Sequence, residues 1–315
     1  MHVAELSPEI RGAGLLLKGE THLHVAPTSE GSPDPTEAVL WYASHGFDFV
    51  VVTEHRKAIH RVERYSNDRV TVIPGMELNG PDEQVREYHL LGIGLRSLGA
   101  MPAGCTAQQA IDLVHADGGL AVMAHPFWLD HTPQELLRLR DLDGLEIFNH
   151  GEQEKLGKGL SAQLWHQMLM AGRRLVATAG TDAHFYHSGK AYAGRAWVVV
   201  ECPDRSGDSI LAALRRGRFY SSTGPSIRRF EIEGQSLRVE CSGARSIYVI
   251  ADRNRGCGFV AEDAKELTEA AYVLGSRRGP EKFVRVEVYD HAGGVAWTNA
   301  IFLDGFYASR REGSP

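Results

Sequence analysis

The side chains best suited to chemistry are histidines and acids spread through the first two-thirds of the chain. Fifteen histidines are present, and fourteen of them precede Gly224. Short apolar runs lead into the ones that matter. Leu15-Leu16-Leu17 leads to His22-Leu23-His24, Phe49-Val50-Val51-Val52 to Glu54-His55, and Val70-Thr71-Val72-Ile73 to Gly75-Met76-Glu77. Leu120-Ala121-Val122-Met123 leads to His125-Pro126, Leu145-Glu146-Ile147-Phe148 to Asn149-His150, and Leu175-Val176-Ala177 to Asp182-Ala183-His184. His89 is the exception, because it opens its run instead of closing it. Imidazoles and carboxylates without thiolates suit Zn, Mn or Fe, and a carboxylate can bridge two ions. Nine candidates (His22, His24, Glu30, His55, Glu77, His89, His125, Asp182 and His184) are too many for one ion. They would serve two or three divalent ions and leave positions open for water. His22/His24 and Asp182/His184 are each spaced so that an extended segment puts both members on one side. A lone histidine after a strand is usually a hydrogen-bonded loop residue, but that does not account for so many at equivalent ends of consecutive units. His2, His45, His60, His115, His131 and His166 fall in tails or on helical faces and read as solvated or capping residues.

The elements that must position these groups alternate. The apolar runs are nearly continuous and rich in Val, Ile and Leu, as strands buried on both faces should be. Helix starts lie between them. Asp34-Pro35-Thr36-Glu37 and Thr132-Pro133-Gln134-Glu135 combine a capping acceptor, proline at the first helical position and glutamate in the first turn. Thr106 with Gln109 forms a capping box, and Leu160, Leu164 and Met168 mark a further helix ending near Gly172. Repeated strand–helix units predict a parallel sheet with helices outside, either doubly wound or closed into a barrel. In a barrel the C-terminal strand ends meet at one mouth, which would gather the scattered donors. After Gly224-Pro225 the pattern changes to period two, as in Arg229-Phe230-Glu231-Ile232-Glu233 and Phe283-Val284-Arg285-Val286-Glu287-Val288. This predicts a small antiparallel β-sandwich with one face of each sheet in water. The expected division is therefore residues 1–225 and 226–315.

Composition narrows the function classes. Of the 315 residues 43% are apolar and 23% charged, which excludes a disordered or fibrous chain. The net charge is 34 − 40 = −6, which argues against stable nucleic-acid binding. Every apolar run is strand-sized, so no membrane helix is expected. The acidic N-terminus does not read as a signal peptide, and the four cysteines are too dispersed for a disulfide framework. The expected setting is reduced and cytoplasmic. No Gly-x-Ser-x-Gly elbow or Gly-x-Gly-x-x-Gly turn is present, which leaves serine-nucleophile and dinucleotide chemistry without support.

The blocks His22-Leu23-His24, Thr53-Glu54-His55, Gly75-Met76-Glu77, His89, His125-Pro126 and Gly180-Thr181-Asp182-Ala183-His184 occur in an order that resembles the polymerase and histidinol phosphatase (PHP) superfamily. The resemblance spans about residues 18–224. It implies a distorted (β/α)7 barrel carrying two or three divalent ions and cleaving phosphate esters. Carried over by motif, His22, His24, Glu77 and Asp182 would hold one ion, with Glu77 bridging to a second held by His89 and His125. Glu30, His55 and His184 would hold a third. Three positions depart from the common pattern: Thr21 and Glu54 stand where Asp is usual, and Glu30 where Asp or His is usual. Glu54 reads as a hydrogen-bonding neighbour of a ligand. The segment Gly217-Arg218-Phe219-Tyr220-Ser221-Ser222-Thr223-Gly224-Pro225, with its β-rich tail, is similar to the carbaryl-hydrolase-like branch.

The expected activity is hydrolysis of a small-molecule phosphate ester, a phosphodiester before a monoester, by a metal-bridged hydroxide. Bound water then has a pKa near 7 in place of about 15.7. Asp182 would orient that nucleophile or relay its proton, and His184 or a metal-bound water would protonate the leaving oxygen. His187 is a weaker candidate for substrate contact. Arg56 would clamp the anion, with Lys57, Lys190 and Arg195 as further cations. Carboxyl or carbamate ester hydrolysis is the alternative, favoured by a neutral pocket of Phe127, Trp128, Phe148 and Phe185. A non-catalytic metal-binding module is a third reading. The tail carries no ligand constellation and would shape the mouth or support a homo-oligomer.

Overall fold

A computed structural model describes residues 6–25, 34–59, 61–262 and 265–307, without the side chains of residues 187–189. Glu30, His2 and His60 lie outside the described residues, as does the side chain of His187. The chain begins with β1 (Leu15–His24), α1 (Thr36–Ser44), β2 (Phe49–Val52), β3 (Thr71–Asp82), β4 (Arg86–Ile93), α2 (Ala107–Ala116) and β5 (Leu120–Met123). It continues through α3 (Pro133–Leu136), β6 (Gly144–Asn149), α4 (His150–Leu156), α5 (Ala162–Met170), β7 (Val176–Gly180), β8 (Ala183–His184), β9 (Trp197–Cys202), α6 (Gly207–Arg215) and β10 (Phe219–Ser222). The helices start where the local chemistry requires. Thr106 and Thr132 each accept from the backbone three residues on, and Gln109 and Glu135 close both capping boxes. Asp34 Oδ1 accepts from Thr36 N, but α1 begins one residue later than its sequence predicts, with Pro35 as the N-cap instead of the first helical residue.

The chain is mixed α/β. Strands β1 to β7 lie side by side in sequence order within one large sheet. Pairings β1–β2, β2–β3, β5–β6 and β6–β7 are parallel. The expectation of a parallel sheet needs correcting at β4, which runs antiparallel to both β3 and β5. The cause is the short turn between Asp82 and Arg86, too short for the crossover a parallel neighbour needs. This reversal also accounts for His89. Near the start of an antiparallel strand, it sits at the same end of the sheet as residues that close the parallel strands. Beyond β7, β8 pairs in parallel with the end of β1, Leu23 opposite Ala183 and His24 opposite His184. Strands β2 and β5 are buried on both faces. Trp165 of α5 is fully buried and donates Nε1–H to the Leu175 carbonyl at 2.9 Å.

The tail contributes β11 (Ile227–Glu233), β12 (Ser236–Ala244), β13 (Ser246–Ala251), β14 (Gly256–Val260), β15 (Leu267–Val273), β16 (Phe283–Tyr289), β17 (Val295–Thr298) and β18 (Ile301–Phe302). Strands β11, β12 and β15 form a separate antiparallel sheet. Strands β13, β14, β16, β17 and β18 extend the large sheet, because β17 pairs with β10. Phe230, Leu237, Val239, Ile247, Val249, Val284 and Val286 pack between the two layers. One face of β16 was expected in water, yet residues Phe283 to Val288 are all buried. Its polar side faces α5: the Arg285 guanidinium lies 4.9 Å from the Trp165 ring and pairs with Glu287 at 2.6 Å. Among the described residues no helix is long and apolar enough to cross a membrane. All four cysteines are free.

Candidate metal centre

Period two in β1 sends Leu23 into an apolar cluster with Val39, Tyr42 and Val50 and turns His22 and His24 together to the opposite side. Glu77 of β3 reaches the same place, where His55 forms an isolated parallel bridge with it. His89 pairs opposite Asn79, so it lies diagonally from Glu77 on one face of the hairpin. His125 follows β5, and Asp182 lies between β7 and β8. Three residues here hold left-handed backbone without being glycine: Arg56 (φ 59°), His125 (φ 27°) and Asp182 (φ 51°). Such conformations are uncommon for these residues and cluster at functional sites.

The side chains converge on Glu77. Its Oε1 lies 2.6 Å from His89 Nδ1 and 3.4 Å from His125 Nε2. Its Oε2 lies 3.0 Å from His55 Nδ1, 3.2 Å from His24 Nε2 and 3.5 Å from His22 Nε2. Asp182 Oδ1 lies 3.2 Å from His24 Nε2 and 3.4 Å from His22 Nε2. Among the described residues four groups have donor atoms mutually within 4.8 Å: His22/His24/Glu77, His22/His125/Asp182, Glu77/His89/His125 and His24/His55/His184. His22, His24, Glu77 and His125 are each shared between two groups. Eight of the nine sequence candidates thus meet, and Glu30 lies outside the described residues.

Electrostatics here favour cations. Burial works against the charged forms throughout, but Asp182 and Glu77 raise His24 to about 9, and Asp182, Glu146 and Glu77 raise His22 well above its ordinary value. Burial is likewise outweighed at Glu77, which the imidazoles hold well below the carboxylate range, and at Asp182, which is also lowered. His184 behaves differently. Burial and the neighbouring His24 push it down to about 4, and its Nδ1 lies 2.9 Å from the Asp182 carbonyl. At neutral pH its proton sits on Nδ1, and Nε2 carries a lone pair. Buried atoms in the cluster lack hydrogen-bond partners: His22 Nε2, both nitrogens of His24, Glu77 Oε2 and His125 Nδ1. Such orphans are costly, and a coordinated cation would satisfy those aimed into the cluster. The donor set therefore fits divalent metal.

Residues 169–219 match a family model described as PHP-associated. The match covers about a sixth of the chain and includes Asp182 and His184. No curated protein is a significant match. Among solved structures, one from Bacteroides vulgatus ATCC 8482 is described as a two-domain protein containing a predicted PHP-like metal-dependent phosphoesterase. It shares 14% identity at a TM-score of 0.49, over 96% of this chain and 99% of that one. Another, from Bifidobacterium adolescentis ATCC 15703, is described as a candidate metal-dependent phosphoesterase. It shares 16% identity at a TM-score of 0.41, over 63% of this chain and 96% of that one. Overlays this loose carry no weight for the chemistry.

Around the cluster, Trp128 stands edge-on to His89 and His125, with ring centroids 5.5 and 5.1 Å away. Tyr186 stands edge-on to His184 at 5.2 Å. Of the other expected aromatics, Phe127 is exposed with Lys158 Nζ 5.8 Å from its ring. Phe185 is buried in the core against Trp41 and Tyr42, and Phe148 stacks on Trp297. Arg56 is exposed, and its Nη1 donates to the Asn79 carbonyl at 2.9 Å. Lys190 pairs with Glu37, while Lys57 and Arg195 are exposed. Glu54 donates nothing to the cluster; its Oε1 accepts from Val25 N at 2.5 Å. His131 corrects the expectation of a solvated or capping role: its ring is buried with neither nitrogen hydrogen-bonded. The sequence reading also passed over two buried acids. Glu20 accepts from the backbone of Thr21, His22 and Thr181 and from the Tyr42 and Thr181 hydroxyls, and burial lifts it to about 7. Glu146 contacts His22. A carboxylate inside an apolar strand such as Leu145-Glu146-Ile147-Phe148 was the available signal, because buried charge needs partners.

Proposed function

We propose that the chain is a PHP-type metal-dependent hydrolase that cleaves phosphate esters, phosphodiesters before monoesters, with two or three Zn, Mn or Fe ions. What supports this most is the placing of Glu77, whose two oxygens face different sets of imidazoles, as a bridging carboxylate requires. By this reading His22, His24, Glu77 and Asp182 hold one ion, and Glu77, His89 and His125 a second. His55 and His184 hold a third with Glu30. The row of strands β1 to β7, with β8 after it pairing back onto β1, is read as a distorted barrel with one strand reversed.

Divalent ions bound there would supply Lewis acidity, neutralising charge on the phosphoryl oxygens and lowering the pKa of a water. The protein does the rest. Asp182, ionised at the edge of the cluster, orients the attacking water by accepting its hydrogen bond. His184 offers the Nε2 lone pair as a ligand atom, and its neutral form at pH 7 makes it a poor donor to the leaving oxygen. Arg56 keeps guanidinium N–H groups beyond the one given to Asn79 and can hold a phosphate oxygen beside His55. Trp128 closes one side and keeps bulk water off the His89/His125 pair.

Carboxyl or carbamate ester hydrolysis is less well supported, because Phe148 and Phe185 pack away from the cluster. The test compares turnover of bis-p-nitrophenyl phosphate, p-nitrophenyl phosphate and a p-nitrophenyl carboxyl ester by metal-loaded protein. Chelator-sensitive turnover, fastest on the diester, is expected. A carboxyl-ester rate equal to or above the diester rate refutes the substrate class. Fewer than two ions per chain with no hydrolysis refutes the enzyme.

A further inference from the structure

We infer that Glu146 is a positioning residue that fixes the tautomer of His22 and the backbone of His125, and so sets the affinity of the centre for metal. This rests on the metal-site reading above. Glu146 is fully buried on β6 and does not itself enter any of the four donor groups. Its Oε1 faces His22 Nδ1 at 3.1 Å, and its Oε2 accepts from His125 N and from Asn149 Nδ2, both at 2.9 Å. A carboxylate has only acceptors to offer. With the two Oε2 partners both donors, His22 Nδ1 must also carry its proton toward Glu146, which leaves the lone pair on Nε2. That atom is buried without a hydrogen-bond partner and points at Glu77 and Asp182, so it is the nitrogen whose lone pair a metal would take in place of a proton.

The orientation is set from outside the centre. Asn149 is the N-cap of α4, and its Oδ1 accepts from Glu152 N at 2.9 Å. Its amide nitrogen is thereby turned to Glu146. Gly180 provides the room: a Cβ there would lie 2.8 Å from Glu146 Oε1 and 3.0 Å from the Cβ of His22. A helix cap, a glycine and one buried acid thus define which nitrogen of His22 can take a metal. Glutamine in place of Glu146 has nearly the same shape, but with its one oxygen kept toward His125 N and Asn149 its NH2 donates to His22 Nδ1, which selects the tautomer with the proton on Nε2 and blocks that nitrogen for metal.

The experiment titrates metal-stripped wild type and Glu146→Gln with zinc against a chromophoric chelator. The variant should bind the ions held through His22 about 10–100-fold more weakly, the range found when a hydrogen-bond partner of a ligand is lost. Affinity within threefold of wild type overturns the inference. A second measurement needs no variant: long-range proton–nitrogen NMR of the zinc-loaded wild type. A slowly exchanging proton on His22 Nδ1 is expected, and an unprotonated or freely exchanging Nδ1 overturns the assignment even if Glu146→Gln fails to fold. Wild type that takes up no zinc defeats the functional reading and this inference with it. Wild type that takes up zinc while Glu146→Gln matches it defeats this inference alone.

Discussion

Replacing Glu77 by Gln probes the centre most directly, since one side chain stands within 3.5 Å of five imidazole nitrogens. The change keeps the shape and removes one negative charge at a position 1% exposed. Removing one partner from a buried charged cluster typically costs about 3–5 kcal/mol. At about 1.4 kcal/mol per decade, that is a loss of roughly 10²–10⁴ in affinity for each ion that shares Glu77. Two of the four donor groups contain it, so both of those ions should weaken together, while His24/His55/His184 keeps its donors. The assay is elemental analysis after dialysis against a weak chelator, with competitive titration by zinc. Wild type should retain two or three ions and Glu77→Gln at most one. A variant that keeps the full complement with affinity within tenfold of wild type would show that Glu77 does not bridge.

Asp182→Asn should lower turnover at saturating metal by at least about 10²-fold while leaving the unfolding midpoint nearly unchanged, because asparagine tolerates the left-handed backbone at φ 51°; wild-type rates with a full metal load would exclude a role for the carboxylate. His131 yields a pH dependence. Burial, aided by Arg86, His125 and His89, outweighs Glu135 and lowers its pKa from 6.5 to about 4. The unfolded chain therefore takes up a proton below 6.5 that the folded chain refuses until about 4. The stabilisation is full above 6.5 and is lost as pH falls through that window, at most about 3 kcal/mol. Urea unfolding at pH 7.5 and 5 should show His131→Gln losing less stability than wild type, and equal losses would refute the reasoning. Gly19→Ala should destabilise by about 1–3 kcal/mol, since a Cβ there would come within 2.3 Å of the buried Phe49 ring; Phe49→Leu in the same chain should recover part of it, and an unchanged urea midpoint for the single variant would disprove the clash.

The donors were legible because strand geometry is regular. His22 and His24 share a face by period two, and His125 and Asp182 follow the ends of strands that run the same way, whereas Glu77 lies within β3, which continues to Asp82. The direction of β4 was less legible. The run Leu90-Leu91-Gly92-Ile93 looks the same whichever way its strand points, and only the brevity of the turn after Asp82 marks the reversal. Burial of β16 was hidden for a related reason. Alternation of Val284, Val286 and Val288 with Arg285 and Glu287 reads as one wet face, yet the ion pair and the Trp165 ring let both faces be dry. Local pattern records which residues alternate, and tertiary packing decides what lies opposite them.

The same distinction explains why ligand candidates were found and their supports were not. Imidazoles at strand ends form a pattern along the chain, whereas Glu146 is a single acid inside an apolar strand and Glu20 a single acid between Gly19 and Thr21. Their meaning comes from partners more than a hundred residues away: His22 for Glu146, and Thr181 for Glu20. Both acids lie directly behind the donors, fully buried and saturated with hydrogen bonds from Thr181, Tyr42, Asn149 and the backbone of His22 and His125. Such a network is expensive to desolvate and contributes little to folding that apolar residues could not supply. Its physical justification is the stiffness it gives to the imidazoles in front. A centre with several unpaired buried donor atoms would otherwise relax onto itself by turning its rings; Glu146 prevents that at the His22 ring, and Glu20 and Glu146 hold the backbone that carries His22 and His125.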